Sequence, residues 1–128
     1  MAMAKILFIL AGGGIGSLLR YGLSGTISKY SATFPWGTLA VNLTGSFAIG
    51  LLWGLSEVLI FSNYWKPFVF VGILGGFTTF STYGLECFNL LRDGEVLLAV
   101  SNILLSNIIG LGLVFLGFSL SRVLINYL

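Results

Sequence analysis

Four apolar segments, each long enough to cross a lipid bilayer, constrain the fold of this chain more than any other feature. About 20 apolar residues in a helix span the core of a bilayer. The segments run from Ile6 to Ile27, from Trp36 to Phe61, from Pro67 to Leu91 and from Val96 to Ile125. Because the connections are too short to hold a soluble domain, we predict a single all-α membrane domain over residues 1–128 with four transmembrane helices.

The composition supports a lipid environment and excludes several classes of function. The chain is 57% hydrophobic and 8% charged, which is more apolar surface than a soluble domain of this size can bury. Its net charge of +2 is too small to suggest a nucleic-acid partner. Histidine is absent and Cys87 is the single cysteine. Because no nucleophile–base pair, metal cluster or nucleotide motif is present either, we do not expect an enzyme.

The basic residues give almost no indication of which way the chain inserts. With four spans, both termini lie on one side, which places three basic residues there and two on the other side, with Arg20 inside the first span. Orientation normally follows an excess of Lys and Arg on the cytoplasmic side. The near balance favours dual topology, in which copies insert both ways and pair as an antiparallel homodimer. The alternative is that the near balance arises by chance, because the charges are few.

Residues 75–84 read Gly-Gly-Phe-Thr-Thr-Phe-Ser-Thr-Tyr-Gly and interrupt the third apolar segment. Adjacent glycines and hydroxyl residues suit a lipid-facing helix poorly, and irregular backbone at membrane depth survives only where protein or a water-filled cavity covers it. Interrupted helices commonly mark ion or substrate sites. We therefore predict a broken third helix with the functional site at the break. A packing kink without function is the alternative.

Three kinds of site are compatible with this segment. Backbone carbonyls near Gly75 and Thr78 suit a hard cation such as sodium. The aromatic rings of Phe80 and Tyr83 have positive edges, which can line an anion path without trapping the ion on a full charge. Hydroxyl groups can donate hydrogen bonds to an anion, and those available belong to Thr78, Thr79, Ser81 and Thr82.

Polar and small residues also recur four apart on the second and fourth spans, and therefore on one face of each helix. The second span carries Asn42, Ser46, Gly50 and Gly54, and the fourth carries Asn102, Ser106 and Gly110, with Asn107 beside them. Small residues allow helices to approach closely, and Gly12 and Gly16 do the same in the first span. The amides and hydroxyls either bond between helices or form a polar track along a pathway.

Two charged residues lie inside the apolar segments. Arg20 can raise the local anion concentration at a vestibule or snorkel toward the end of the first span. Glu86 follows the interrupted segment and can serve a proton-coupled role or bond to the broken helix. The sequence leaves both choices open.

Taken together, three motifs resemble those of the Fluc (CrcB-type) fluoride channel family over essentially the whole chain. They are Gly16-Ser-Leu-Leu-Arg20, Gly37-Thr-Leu-Ala-Val-Asn42, and Gly75-Gly-Phe-Thr-Thr-Phe-Ser-Thr-Tyr83 followed by Glu86. The resemblance implies an antiparallel, dual-topology homodimer in the cell (inner) membrane that exports cytoplasmic fluoride passively and so protects the cell from it.

The resemblance also implies roles for individual residues. Phe80 and Tyr83 match the aromatic positions that bind fluoride through ring edges, and Asn42 matches a donor to the ion. Arg20 matches the vestibule arginine, Glu86 a pore-associated glutamate, and Ser106 a hydroxyl of the polar track. Thr79 and Thr82 fall in the third motif, where they supply hydroxyl groups along the fluoride pathway. Gly75 and Thr78 match the positions whose carbonyls hold a structural sodium ion at the dimer interface.

This chain departs from the family pattern at a few positions. Tyr83 stands where phenylalanine is common, and its additional hydroxyl needs a partner. Asn102 and Gly110 occupy track positions where other members carry tyrosine and serine, so we do not expect either to be a ligand. The main rival, a small multidrug transporter, needs a carboxylate in its first span, where this chain has only Arg20. A non-transporting membrane subunit is the other rival, but it leaves the interrupted third span unexplained.

Overall fold

All the regular elements in the part of the chain that the computed structural model describes, residues 2–30, 33–59 and 62–127, are helices. Four helical stretches are long and apolar enough to cross a membrane, and they are called the first to fourth spans below. Their bounds are Ala2–Ser28, Trp36–Ser56, Pro67–Arg92 and Val96–Ile125. The prediction of an all-α chain with four membrane spans is confirmed.

The boundaries differ from the predicted ones mainly in the first two spans. The first span begins at Ala2 rather than Ile6, and the second ends at Ser56. The predicted end of the second span, Phe61, lies outside the described residues. Glu57, directly after this helix, forms a 2.6 Å ion pair with Arg122 on the fourth span. Hydropathy continues past this polar contact, so the apolar pattern alone could not locate the end of the helix.

Two stretches of the third and fourth spans have the wider turns of a π-helix, Pro67–Leu74 and Leu105–Ile109. The fourth span is otherwise α-helical, over Val96–Leu104 and Gly110–Ile125. Single π-turns inside α-helices are frequent at functional sites because they change which side chains share a face. The second stretch contains Ser106 and Asn107, two candidate polar residues.

The third span changes conformation at Thr78 and Thr79. The helix Gly75–Phe77 ends there, and the next helix, Phe80–Arg92, begins directly afterwards. Thr78 and Thr79 have extended backbone, with φ −79° and ψ 157° at the first and φ −148° and ψ 117° at the second. The Thr78 amide still closes a helical bond on the Leu74 carbonyl at 3.0 Å. The Thr79 amide and the Thr78 carbonyl fall outside the helical ladder, so they need other partners at membrane depth.

Glycines bring the spans into backbone contact in two pairs. The first span packs mainly on the third, and the second packs mainly on the fourth. A Cβ atom added at Gly16 would lie 2.1 Å from the Ile73 carbonyl oxygen, and one at Gly50 would lie 2.1 Å from that of Val114. No side chain fits at either position. These contacts support helix packing as the role of the small-residue stripes.

Replacing Gly16 by alanine is expected to lower the free energy of unfolding in detergent by about 1–3 kcal/mol, the usual range for overpacking. The obstructing atom belongs to backbone, which cannot move aside as a side chain would. Gly14→Ala is the matched control, because an added Cβ there meets no atom within 4 Å. Equal stability of the two variants in a denaturant titration would contradict the close approach of the first and third spans.

Candidate functional site

The backbone of Thr79 is held by the side chain of Asn42 on the second span. Asn42 Nδ2 donates to the Thr79 carbonyl oxygen at 3.0 Å, and the Thr79 amide donates to Asn42 Oδ1 at 2.8 Å. The carboxamide therefore substitutes for a neighbouring peptide group and satisfies both polar groups of an extended residue. An amide nitrogen carries two hydrogens, so one N–H of Asn42 is not used by Thr79.

Arg20 reaches the neighbouring carbonyl from the first span. Its Nη1 atom lies 3.5 Å from the Thr78 carbonyl oxygen, a long and therefore weak hydrogen bond. The contact turns the guanidinium toward the interruption in the third span. Thr78 also packs closely against the second span, because a Cβ atom at Gly45 would lie 2.2 Å from Thr78 Cγ2.

A groove of about 360 Å³ runs along the interruption, and we call it the central groove. Its polar wall combines an amide from the second span with hydroxyls, rings and an amide from the third and fourth spans. It is lined by Asn42, Ser46, Thr78, Thr79, Phe80, Tyr83, Ser106 and Asn107, together with Gly45, Ile49, Phe70, Leu74 and Gly75. None of these side chains carries a formal charge.

Phe80 and Tyr83 lie one helical turn apart and share one side of the central groove. Their ring centroids are 5.6 Å apart and their planes are inclined by 48°. Phe80 is 83% exposed in the single chain, although it lies at the middle of an apolar span. The Tyr83 hydroxyl accepts a 3.2 Å hydrogen bond from Asn107 Nδ2.

Thr79 also caps the helix Phe80–Arg92. Its Oγ1 atom accepts from the Thr82 amide at 3.3 Å and lies 3.0 Å from Thr82 Oγ1. The first amides of a helix carry a partial positive charge and attract anions. This helix begins inside the third span, so that positive end is directed at the polar groups around Thr79 rather than at bulk water.

Ser106 is connected to the protein interior through Asn102. The Ser106 hydroxyl donates to Asn102 Oδ1 at 3.3 Å, and Asn102 Nδ2 lies 3.4 Å from Cys87 Sγ. Asn102 is only 1% exposed. Its amide therefore links the third and fourth spans.

Arg20 and Glu86 lie in two further grooves beside the central one. Arg20 shares the first with Thr38, Thr79 and Thr82, so Thr79 lines both this groove and the central one. Glu86 lines the second, together with Asp93 and Glu95. Thr38 Oγ1 donates to Glu86 Oε1 at 2.5 Å. The other oxygen, Oε2, is buried and has no partner among the described residues.

One of these acidic residues, Asp93, lies outside the spans and is paired with Arg92. The hydrogen bond from the neighbouring guanidinium of Arg92, 2.8 Å away, lowers the pKa of the exposed Asp93 carboxyl. Asp93 therefore stays ionised over a wider range of acidic pH than a free aspartate. With Arg92 it forms an ion pair at the outer end of this groove.

Comparison with known proteins identifies the family of the chain. Residues 7–118 match the model of the family described as CrcB-like protein, Camphor Resistance (CrcB). The chain belongs to the CrcB-like family. The resemblance inferred from the motifs is therefore confirmed, and the chain is a multi-pass membrane protein.

Three relatives align with this CrcB-like chain over nearly its full length. The "Fluoride-specific ion channel FluC" of Salinibacter ruber is 49% identical over 117 residues, which cover 90% of this chain and 87% of that protein. The protein of the same name from Parabacteroides distasonis is 44% identical over 125 residues, covering 97% and 98%. That of Pyrococcus abyssi is 44% identical over 126 residues, covering 95% and 99%.

The structure of this CrcB-like chain brings most of the predicted site residues together. Seven of them line the central groove: Asn42, Gly75, Thr78, Thr79, Phe80, Tyr83 and Ser106. Arg20 and Thr82 line the neighbouring groove, and Glu86 lies in the third. The prediction made no use of Thr38, the partner of Glu86, and named no partner for Asn107, which bonds to Tyr83. Neither partnership has a local sequence signal.

We expect Asn42→Leu to destabilise the folded protein by about 1–3 kcal/mol, the cost of one buried backbone group left without a partner. The Thr79 amide loses its partner in this variant, whereas the Thr79 carbonyl, at the N-cap of the helix Phe80–Arg92, keeps the first bond of that helix. The matched control is Asn89→Leu on the third span, because the Asn89 side chain is not paired with a peptide group in this way among the described residues. Unfolding in a denaturant series measures both. A stability of Asn42→Leu equal to that of the control would contradict the role of this pairing.

Proposed function

We propose that the protein is a fluoride-selective ion channel, which lets cytoplasmic fluoride leave the cell passively and so protects the cell from fluoride toxicity. The observation that carries the proposal is the central groove, lined by uncharged donors and two aromatic rings at the interruption of a membrane span. It is supported by relatives that are 44–49% identical and bear the name "Fluoride-specific ion channel FluC".

The driving force for such export is physical and needs no catalysed reaction. Hydrogen fluoride is a weak acid that crosses membranes as a neutral molecule and dissociates in the cytoplasm, where the anion is trapped. A negative membrane potential favours exit of the anion by about 2.3 kcal/mol per charge per 100 mV. A passive pore in the cell (inner) membrane is therefore sufficient, and the protein acts as a conduit rather than an enzyme.

In this proposal fluoride passes along the central groove between Asn42, Phe80, Tyr83 and Ser106. Asn42 supplies the N–H that Thr79 does not use, and the two rings supply their positive edges. These groups bind an anion weakly, and weak binding at successive positions allows release. A narrow groove of fixed donors also disfavours the larger chloride ion.

The residues of the neighbouring grooves then act on the ends of the pathway. Arg20 raises the local concentration of anions at a vestibule, where Thr79 and Thr82 offer hydroxyl groups. The positive end of the helix that begins at Phe80 adds to this attraction. Glu86, which bonds to Thr38, lies on the same helix as Phe80, about 9 Å further along at 1.5 Å per residue. It lines the far part of the pathway.

We further propose that the functional unit is an antiparallel, dual-topology homodimer embedded in the lipid bilayer. The near balance of basic residues on the two sides favours it. The central groove supports it as well, because its polar groups lie at membrane depth and need cover from protein or water rather than lipid. In a dimer the interruption of the third span is a broken helix buried by protein, as irregular membrane backbone requires.

The carbonyl groups of Gly75 and Thr78 fit a structural sodium ion at the dimer interface. Because the Thr79 amide donates to Asn42 Oδ1, it does not close the usual helical bond on the Gly75 carbonyl. Among the described residues, the Thr78 carbonyl has only the long contact with Arg20, and it keeps a free lone pair. Carbonyl oxygens are suitable ligands for hard cations. Bound there, sodium would supply positive charge that neutralises the exposed carbonyls.

The channel proposal is tested by reconstituting the protein in liposomes and measuring efflux with fluoride or chloride as the only permeant anion. We expect fast fluoride efflux and no chloride efflux. Phe80→Ile should abolish fluoride efflux and leave the dimer intact, because it removes the ring edge from the groove. Phe88→Ile, an exposed aromatic on the same helix but outside the groove, is the matched control and should keep full efflux.

Two results would overturn this assignment. Full efflux through Phe80→Ile would remove that ring from the pathway. Absence of fluoride efflux from a correctly folded wild-type dimer would reject the channel, and it would restore the transporter and the non-transporting subunit as explanations.

The sodium proposal predicts that the stability of the dimer depends on sodium supplied during purification. Exchange of sodium for a large organic cation should lower the melting temperature of the dimer in detergent, and returning sodium should restore it. Potassium at the same concentration is the control for ionic strength. A melting temperature unaffected by exhaustive sodium removal would argue against the site.

A further inference from the structure

Asn107 holds the Tyr83 hydroxyl in a defined direction. Its Nδ2 atom donates to the Ile103 carbonyl at 2.8 Å and to the Tyr83 hydroxyl oxygen at 3.2 Å. A backbone carbonyl can only accept hydrogen bonds, so the contact with Ile103 requires the nitrogen, not the oxygen, of the Asn107 amide on this side. The two hydrogens of the amide are then both used, and the Tyr83 oxygen is the acceptor.

This arrangement leaves the proton of the Tyr83 hydroxyl available. A phenol has one proton to donate and can accept through its oxygen. With the oxygen accepting from Asn107, the proton must point elsewhere, and no acceptor for it occurs among residues 2–30, 33–59 and 62–127. Both Tyr83 and Asn107 line the central groove, so an acceptor for this proton, whether water or an anion, would lie in that groove.

The other fourth-span hydroxyl of the groove differs from Tyr83 in this respect. Ser106 already donates its single proton to Asn102 Oδ1 at 3.3 Å. The two neighbouring residues of the π-helical stretch Leu105–Ile109 therefore have opposite effects. Ser106 faces the groove with its proton engaged, whereas Asn107 frees a proton on the third span.

We propose that Asn107 is a positioning residue that makes the Tyr83 hydroxyl a hydrogen-bond donor to the permeating anion. The inference rests on the proposed fluoride channel and extends it. Where the aromatic residue at this position is phenylalanine, only a ring edge faces the ion. In this chain a stronger O–H donor is added, and an amide from the facing span sets its direction.

A double-mutant cycle in liposomes tests the inference, with fluoride efflux measured at low fluoride concentration, where loss of a donor slows entry. Tyr83→Phe removes a single oxygen and should reduce efflux roughly tenfold, since a hydrogen bond to a charged group shifts an equilibrium by that order or more. Asn107→Leu, which keeps the shape of the side chain, should cause a comparable loss. In the Tyr83→Phe background, Asn107→Leu should have no further effect.

The control is Ser101→Ala. Like Asn107, Ser101 lies on the fourth span and donates to the carbonyl four residues before it, but it lies outside the grooves. It should conduct as the wild type does. Tyr83→Phe with wild-type efflux would overturn the inference, as would a loss from Asn107→Leu that is equal in both backgrounds. If Asn107→Leu fails to assemble, Tyr83→Phe alone decides. A wild type that does not conduct fluoride would instead reject the channel itself.

Discussion

The two hydrogen bonds between the Asn42 side chain and the Thr79 backbone are the contact on which the rest of the site depends. Hydrocarbon offers no partner to a free amide or carbonyl, so two extended residues at membrane depth persist only if protein satisfies them. Asn42 does so for Thr79. Thr79 can then cap the helix that begins at Phe80, and that start fixes where Phe80 and Tyr83 lie relative to the second span.

Close packing and polar satisfaction support each other around this contact. The absence of a side chain at Gly45 allows Thr78 to approach the second span, which brings Asn42 within reach of Thr79. On the opposite side, backbone contact at Gly16 holds the first span against the third, so that Arg20, one turn later, can reach the Thr78 carbonyl. The small-residue stripes therefore have a structural role in packing and, through it, determine which polar groups meet at the interruption.

The sequence predicted the four spans because length and hydropathy suffice to define them, and residues 75–84 because glycine and threonine are unusual inside a span. It predicted Phe80 and Tyr83 as site residues through their aromatic rings and, with Asn42, through the motifs. It could not predict that Asn42 pairs with the backbone of Thr79, or that Thr38 contacts Glu86, because such partnerships depend on the rotation of one helix against another. Asn107 was missed as a partner of Tyr83 because regular helical spacing places it beside Ser106, not on the same face. The π-helical turn there has no signal in residue type.

The separation of charged from uncharged groups is a physical requirement of the function we propose. A unit charge 4 Å from a permeating anion would hold it by about 4 kcal/mol at an effective dielectric constant of 20, which slows release nearly a thousandfold. A hydrogen bond from an uncharged donor to an ion contributes less, about 1.5–3 kcal/mol. Amides, hydroxyls and ring edges line the central groove, whereas Arg20 and Glu86 lie in the grooves beside it. An anion is thus attracted by Arg20 at its approach and transferred between weak donors in the groove. A hydroxyl donor at Tyr83 adds one such hydrogen bond to that series, which is enough to favour entry without preventing exit.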